Sequence, residues 1–210
     1  MQRRAPQFDL YLITDRRQAR GGDLVAVVEQ ALDGGVKAIQ LREKDLSGRE
    51  LFTLADTLKS LCARHGAQLF INDRIDVALA VDADGVQLGR ASMPVGAARE
   101  LLGERKLIGA STHSLEEALA AEQAGADFVL FGPVYFTPSK AAYGTPQGIE
   151  PLRQVVEKIS KPVYAIGGIR PENIDAVKQN GARGAALISA VMAAEKPREA
   201  ARQILRLLRE

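Results

Sequence analysis

Apolar residues along this chain gather in short runs of four or five positions, each followed by a longer stretch where they recur every three or four places. The short runs fall at residues 10–14, 37–41, 68–71, 85–88, 106–110, 128–131, 163–166 and 185–188. Runs of this length bounded by turn residues read as buried strands. The longer stretches, at 23–35, 47–66, 74–81, 94–103, 114–125, 149–160, 170–181 and 197–210, read as helices. Leu51, Leu54, Leu58 and Leu61 give the clearest helical spacing. Gly35, Gly66, Gly125 and Gly181 stand where each helix must stop and reverse into a strand.

A weak internal echo runs through "DGGVKAIQL", "VDADGVQLG", "QAGADFVLFG" and "QNGARGAALIS": small residues, a turn, then a short apolar strand. One βα unit used repeatedly explains it. Eight strands alternating with eight helices predict a closed parallel (β/α)8 TIM barrel, a single α/β domain over 1–210. A doubly wound open sheet competes, but its Gly-rich fingerprint is missing after the first strand, where the chain reads "DRRQARGGD".

Composition narrows the partners. The 28 Lys and Arg against 26 Asp and Glu leave a net charge of +2, which gives no reason to expect nucleic acid or a membrane surface. No uncharged apolar run approaches the ~18 residues of a membrane span, and "MQRRAPQFDL" lacks the apolar core of a signal peptide. Cys62 is the only cysteine, so a cytoplasmic setting without disulfides is expected. Its place in a helical run suits a small buried hydrophobe better than a reactive thiol.

In a parallel barrel the residues just past each strand share one rim. In order they are Gln40, Arg42 and Lys44, then Asn72 and Asp73, Gln87 and Arg90, and Ser111, Thr112 and His113. The segments "FGPVYFTPSKAAYG", "IGGIRPEN" and "LISAV" complete the rim. Gly167, Gly168 and the helix opened by Pro171, with the amides near Ile188 and Ser189, form a phosphate cradle. Arg42 and Lys44, with Lys140 as a third cation, suggest a second anion site. Two anion sites imply two phosphorylated groups. Asp73 is either a Mg²⁺ ligand or the N-cap of the next helix. His65 falls at a helix end. His113 borders the rim, but has no neighbouring His or Cys with which to make a zinc site.

With these residues in place, the chain resembles the thiamine phosphate synthases over almost its whole length. "YLITD", "QLREKDLSGREL", "INDRIDVALAVDADGVQLG", "GASTHSLEEALAAEQAGADFVLFGPVYFTPSK", "PVYAIGGIRPEN" and "LISAV" match in order and spacing. The resemblance implies a transferase of thiamine biosynthesis. Such an enzyme joins hydroxymethylpyrimidine diphosphate to thiazole phosphate with Mg²⁺, releasing pyrophosphate through a dissociative, carbocation-like step. It also implies that Gln40, Arg42, Lys44 and Asn72 hold the diphosphate and pyrimidine ester, that Asp73 binds the metal, and that Ser111 contacts pyrimidine and pyrophosphate. Thr137, Ser139 and Lys140 would contact thiazole phosphate or pyrophosphate, and Gly168, Ile188 and Ser189 would cup the thiazole phosphate. Arg42, Lys44, Ser111 and Lys140 are the expected catalytic set.

One stretch departs from the family pattern: "QLGRAS" stands where the family reads His-Leu-Gly-Gln-x-Asp, so Ser92 occupies the second metal-ligand position and Arg90 replaces the glutamine. That change bears on Mg²⁺ affinity and keeps two alternatives open. One is a thiazole tautomerase, although Pro133 stands where those relatives carry a catalytic histidine. The other is a barrel that binds thiazole phosphate or thiamine phosphate without turnover. A homo-oligomer remains open as well.

Overall fold

A computed structural model describes residues 6–137 and 145–210. Eight strands alternate with helices: β1 Leu10–Ile13, α1 Leu24–Asp33, β2 Ala38–Leu41, α2 Gly48–Arg64, β3 Gln68–Asn72, α3 Ile75–Ala80, β4 Gly85–Leu88, α4 Val95–Leu102, β5 Leu107–Thr112, α5 Leu115–Gln123, β6 Phe128–Phe131 and α6 Ile149–Lys158. Then follow β7 Val163–Ile166, a 3₁₀ turn Pro171–Asn173, α7 Ile174–Gln179, β8 Gly184–Leu187, α8 Ser189–Met192 and α9 Pro197–Arg209. Every neighbouring pair is parallel, and β1 closes on β8, so the sheet is a complete barrel. The expected (β/α)8 architecture is therefore present.

One element departs from the sequence pattern. The eighth strand ends at Leu187, and "SAVM" winds into the four-residue helix α8, giving nine α-helices among the described residues. An apolar run this short carries no period that separates strand from helix.

Alternation along each strand sorts the core in two. Outward residues such as Leu12, Ile39, Ile71, Val86, Ile108 and Val129 pack under the helices. Inward residues Tyr11, Ile13, Ala38, Phe70, Leu107, Phe128, Leu130, Tyr164 and Ala186 fill the barrel, joined from outside the sheet by Phe8. The Phe8 ring lies 4.7–5.8 Å from Tyr11, Phe70, Phe128 and Tyr164, and Tyr164 Oη donates to Phe8 O at 2.9 Å. These five rings seal the end where the strands begin.

The repeated "AD" before β4 and β6 has its cause at that same end. Asp84 Oδ2 accepts from Leu69 N and Lys59 Nζ, and Asp127 Oδ2 accepts from Ile108 N and Arg99. Each carboxylate ties the start of one strand to the strand before it, across a face that serves stability rather than chemistry. Helix α2 is entered through a Ser47–Glu50 capping box. No helix among the described residues is long and apolar enough to cross a membrane.

Candidate functional site

The charged burst after β2 divides by sign. Glu43 is buried and turns away from the barrel mouth. Its carboxylate accepts from Thr14 Oγ1 at 2.7 Å, from the Arg16 amide at 3.1 Å and from the Arg16 guanidinium at 3.1 Å. Asp45 takes two further bonds from Arg16 and one from Arg17, which hold its carboxyl well below the usual carboxylate range. Both anions thus fasten the β1–α1 loop. Arg42 lies at the next inward position after Gln40, its amide fixed by Thr14 Oγ1 at 2.9 Å, and its side chain lines the mouth. Lys44 is exposed on the turn beyond it and lines neither cavity described below.

Alternation inside the barrel explains the next group. Counting inward from Ala38, Phe70, Gly85 and Leu107, the upper inward positions are Gln40, Asn72, Gln87 and Ser111. Apolar filling stops and amides begin. Gln40 Nε2 donates to Asn72 Oδ1 at 2.9 Å, and Gln87 Nε2 donates to Ser111 Oγ at 3.1 Å. The remaining oxygens, Gln40 Oε1 and Gln87 Oε1, are buried without a donor. Gly109 makes this possible, because a Cβ there would lie 2.2 Å from Gln87 Oε1.

Asp73 is not a helix cap. The N-cap of α3 is Arg74, and no side chain caps that helix. Instead Asp73, at φ 60°, accepts from Asn72 Nδ2 at 2.8 Å through Oδ2 and from the Ser92 hydroxyl through Oδ1. Ser92 Oγ in turn accepts from Gly89 N at 2.6 Å. The two residues expected at the metal position therefore meet, although they are 19 positions apart. A Mg²⁺ ion needs only one or two carboxylates when phosphate oxygens complete its shell. One carboxylate beside a hydroxyl fits that lower limit, and the described residues hold no cluster of three or more His, Cys, Asp or Glu.

Two cavities open at this end of the barrel. One, of about 220 Å³, is lined by Gln40, Arg42, Asn72, Ser111 and His113 among others. A second, of about 660 Å³, is lined by Thr137, Gly168, Arg170, Ile188 and Ser189. They share Gln18, Ile166, Gly167 and Ile188, so they form one continuous depression. Gly168, at φ 65°, leaves no room for a side chain: a Cβ would stand 2.6 Å from Phe136 O and 2.7 Å from Tyr135 Cβ. Asn173 braces the same turn, donating to Gly168 O at 2.9 Å and accepting from Arg170 N at 2.8 Å.

Ser139 and Lys140, expected at the rim, lie outside the described residues, as does most of the "YFTPSKAAYG" segment. Arg90 is exposed and lines a side cavity with Ser92 and Ser111. His113 pairs with Glu117 at 3.0 Å; burial pushes the Glu117 carboxyl up, but the bonds from His113 outweigh it and the net shift is downward. Gln18 escaped sequence reasoning although it touches both cavities, with Nε2 donating to Asp15 Oδ2 at 2.6 Å. The only signal was its place in the polar run after β1.

Known proteins resemble this chain in sequence and in fold. The thiamine monophosphate synthase family model matches residues 10–191. A protein of Geobacter sulfurreducens is 57% identical over 201 residues, covering 96% of this chain and 94% of its own. The thiamine-phosphate synthase of Syntrophomonas wolfei is 45% identical over 197 residues, 94% of each chain. The solved thiamine phosphate pyrophosphorylase of Pyrococcus furiosus superposes with a TM-score of 0.89 at 44% identity, covering 96% of both chains.

Proposed function

Since the chain belongs to the thiamine monophosphate synthase family, we propose that it joins hydroxymethylpyrimidine diphosphate to thiazole phosphate, giving thiamine phosphate and pyrophosphate. The observation that carries this reading is the pair of connected cavities, one bearing Arg42 over a polar floor and the other walled by backbone at Gly168 and Ser189. A single mouth with two unlike anion sites suits a reaction between two phosphorylated molecules.

In this reading Arg42 presents its planar fork to the diphosphate, and Lys44 and Lys140 add mobile charge from the rim. Asn72 and Ser111 donate to the diphosphate and to the ester oxygen as its bond to carbon lengthens. Bound Mg²⁺, held by Asp73 and the diphosphate oxygens, would neutralise the leaving group. Thr137, Ser139, Gly168, Ile188 and Ser189 hold the thiazole phosphate, so that the ring nitrogen faces the carbon that loses pyrophosphate. The chemistry needs no protein nucleophile. Alignment of the reactants and fixed charge for the departing diphosphate carry the rate. Pro133, on the wall of the smaller cavity, has no titratable group and cannot shuttle protons as a tautomerase histidine would.

Purified protein given both substrates and Mg²⁺ should yield thiamine phosphate and pyrophosphate in equal amounts, and neither when one substrate is left out. Absence of product at every Mg²⁺ concentration, with tight thiazole phosphate binding retained, would favour a binding barrel. Isomerisation of a thiazole carboxylate phosphate by the protein alone would favour the tautomerase.

A further inference from the structure

We propose that Asp15 stabilises the cation of the reaction: its carboxylate, held beside Gln18 at the border of the two cavities, faces the positive charge that develops on the pyrimidine carbon and ends on the thiazole ring. This inference rests on the functional reading above and adds to it a residue that acts on the cation rather than on either phosphate.

The other carboxylates near the mouth are occupied. Glu43 and Asp45 are paired with Arg16, Asp73 is bonded by Asn72 and Ser92, and Glu117 by His113. Asp15 is the only acidic residue on the wall of the smaller cavity among the described residues. It is half-buried, with Oδ1 accepting from the Arg17 amide at 3.1 Å and Oδ2 from Gln18 Nε2 at 2.6 Å. These are its side chain's bonds, and no cation pairs with it among the described residues. A carboxylate has about four acceptor sites, so half of its capacity is free. Its place in the loop is fixed by the next residue, whose amide donates to Glu43. Gln18 lines both cavities, so the carboxylate it holds stands at their junction.

An unpaired carboxylate in a mouth that takes two anions opposes their binding. Its sign suits what comes next. The carbon–oxygen bond to the diphosphate breaks and its electron pair leaves with pyrophosphate. The lone pair of the thiazole nitrogen then forms the carbon–nitrogen bond, and no proton moves. One positive charge appears on the carbon and comes to rest on the thiazolium ring. A fixed anion in a half-buried site acts on that charge more strongly than one in water. An interaction that turns attractive only as charge develops raises the rate rather than the affinity for substrates.

The test measures dissociation constants for thiamine phosphate and for its isostere with an uncharged thiophene ring, by calorimetry at one Mg²⁺ concentration, and the single-turnover rate of product formation. Wild-type protein should bind the cationic ring at least about tenfold more tightly. Asp15→Asn keeps an acceptor for the Arg17 amide and should bring the two ligands within about threefold of each other. Its single-turnover rate should fall at least about tenfold, while hydroxymethylpyrimidine diphosphate binds no more weakly than before. Glu172→Gln removes an exposed carboxylate from the larger cavity and should leave the ligand ratio as in the wild type. A wild-type protein that binds the two rings alike overturns the proposal without recourse to any variant. So does a wild-type ratio or rate in Asp15→Asn, or a fall of the ratio in Glu172→Gln as large as that in Asp15→Asn. Equal loss of affinity for the diphosphate and both ring compounds in Asp15→Asn marks a loop-building role and overturns it as well. Wild-type protein that makes no thiamine phosphate from its two substrates overturns the functional reading itself, and this inference with it.

Discussion

Glu43 grips Arg16 twice: its buried carboxylate accepts from both the backbone amide and the guanidinium of that residue. The pairing turns a loop carrying three arginines and two glycines into a fixed wall for Gln18. Glu43→Ala would leave Thr14 and Arg16 without their shared acceptor. Because a third of the Arg16 side chain is in water and Asp45 remains beside it, the loss should fall at the low end for a broken buried pair, about 3 kcal/mol. Urea unfolding checks it; Arg16→Ala should cost less, because water screens the partly exposed guanidinium. A Glu43→Ala midpoint indistinguishable from the wild type would contradict this role.

Gly168→Ala should damage binding more than folding. The added Cβ meets Phe136 O and Tyr135 Cβ well inside contact distance, and the backbone there sits at positive φ. The loop or the cradle must move. We expect about 1–2 kcal/mol of destabilisation with a loss of thiazole phosphate affinity of at least about tenfold, both readable from calorimetry and thermal melting. Full affinity would place the phosphate elsewhere.

Ser92→Asp puts a second carboxylate against Asp73. Charge count governs affinity at such hard-cation sites. With inorganic pyrophosphate present, Mg²⁺ binding should tighten by about tenfold, and a metal-free sample should lose stability from the two facing anions. A Mg²⁺ titration matching the wild type would remove Asp73 from the metal site.

Cys62 gives the pH prediction. Burial pushes its thiol up to about 12, against an ordinary value near 9. The unfolded chain therefore releases this proton first as pH rises. Between about 9 and 12 the folded state holds more protons than the unfolded one, so stability declines with pH across that window and is unaffected below it. Cys62→Ala should flatten the alkaline limb of the stability curve, and iodoacetamide should label the wild-type thiol at pH 8 only after unfolding. Prompt labelling of native protein would refute the burial argument.

Much of this was legible in the residues themselves. All eight strands announced themselves because the barrel buries both faces, leaving runs such as "FVLF" unbroken by polar positions. Asp73 and Ser92 were named from their positions in a shared pattern, and their contact follows from β3 and β4 being neighbours. What the sequence hid was direction. Nothing in "LREKD" says that Glu43 and Asp45 turn back toward Arg16 while Arg42 turns inward, because that choice is made by a partner 27 residues earlier. Gln18 was missed for a similar reason: a glutamine in a polar loop has no signature until the loop is tied down. Helix α8 went unread because a four-residue segment carries no period.

The ring of Phe8, stacked among Tyr11, Phe70, Phe128 and Tyr164, makes the barrel a cup rather than a tube. Traffic has one doorway. Both reactants must enter, and both products leave, through the one mouth where the strands end, because the aromatic stopper closes the other.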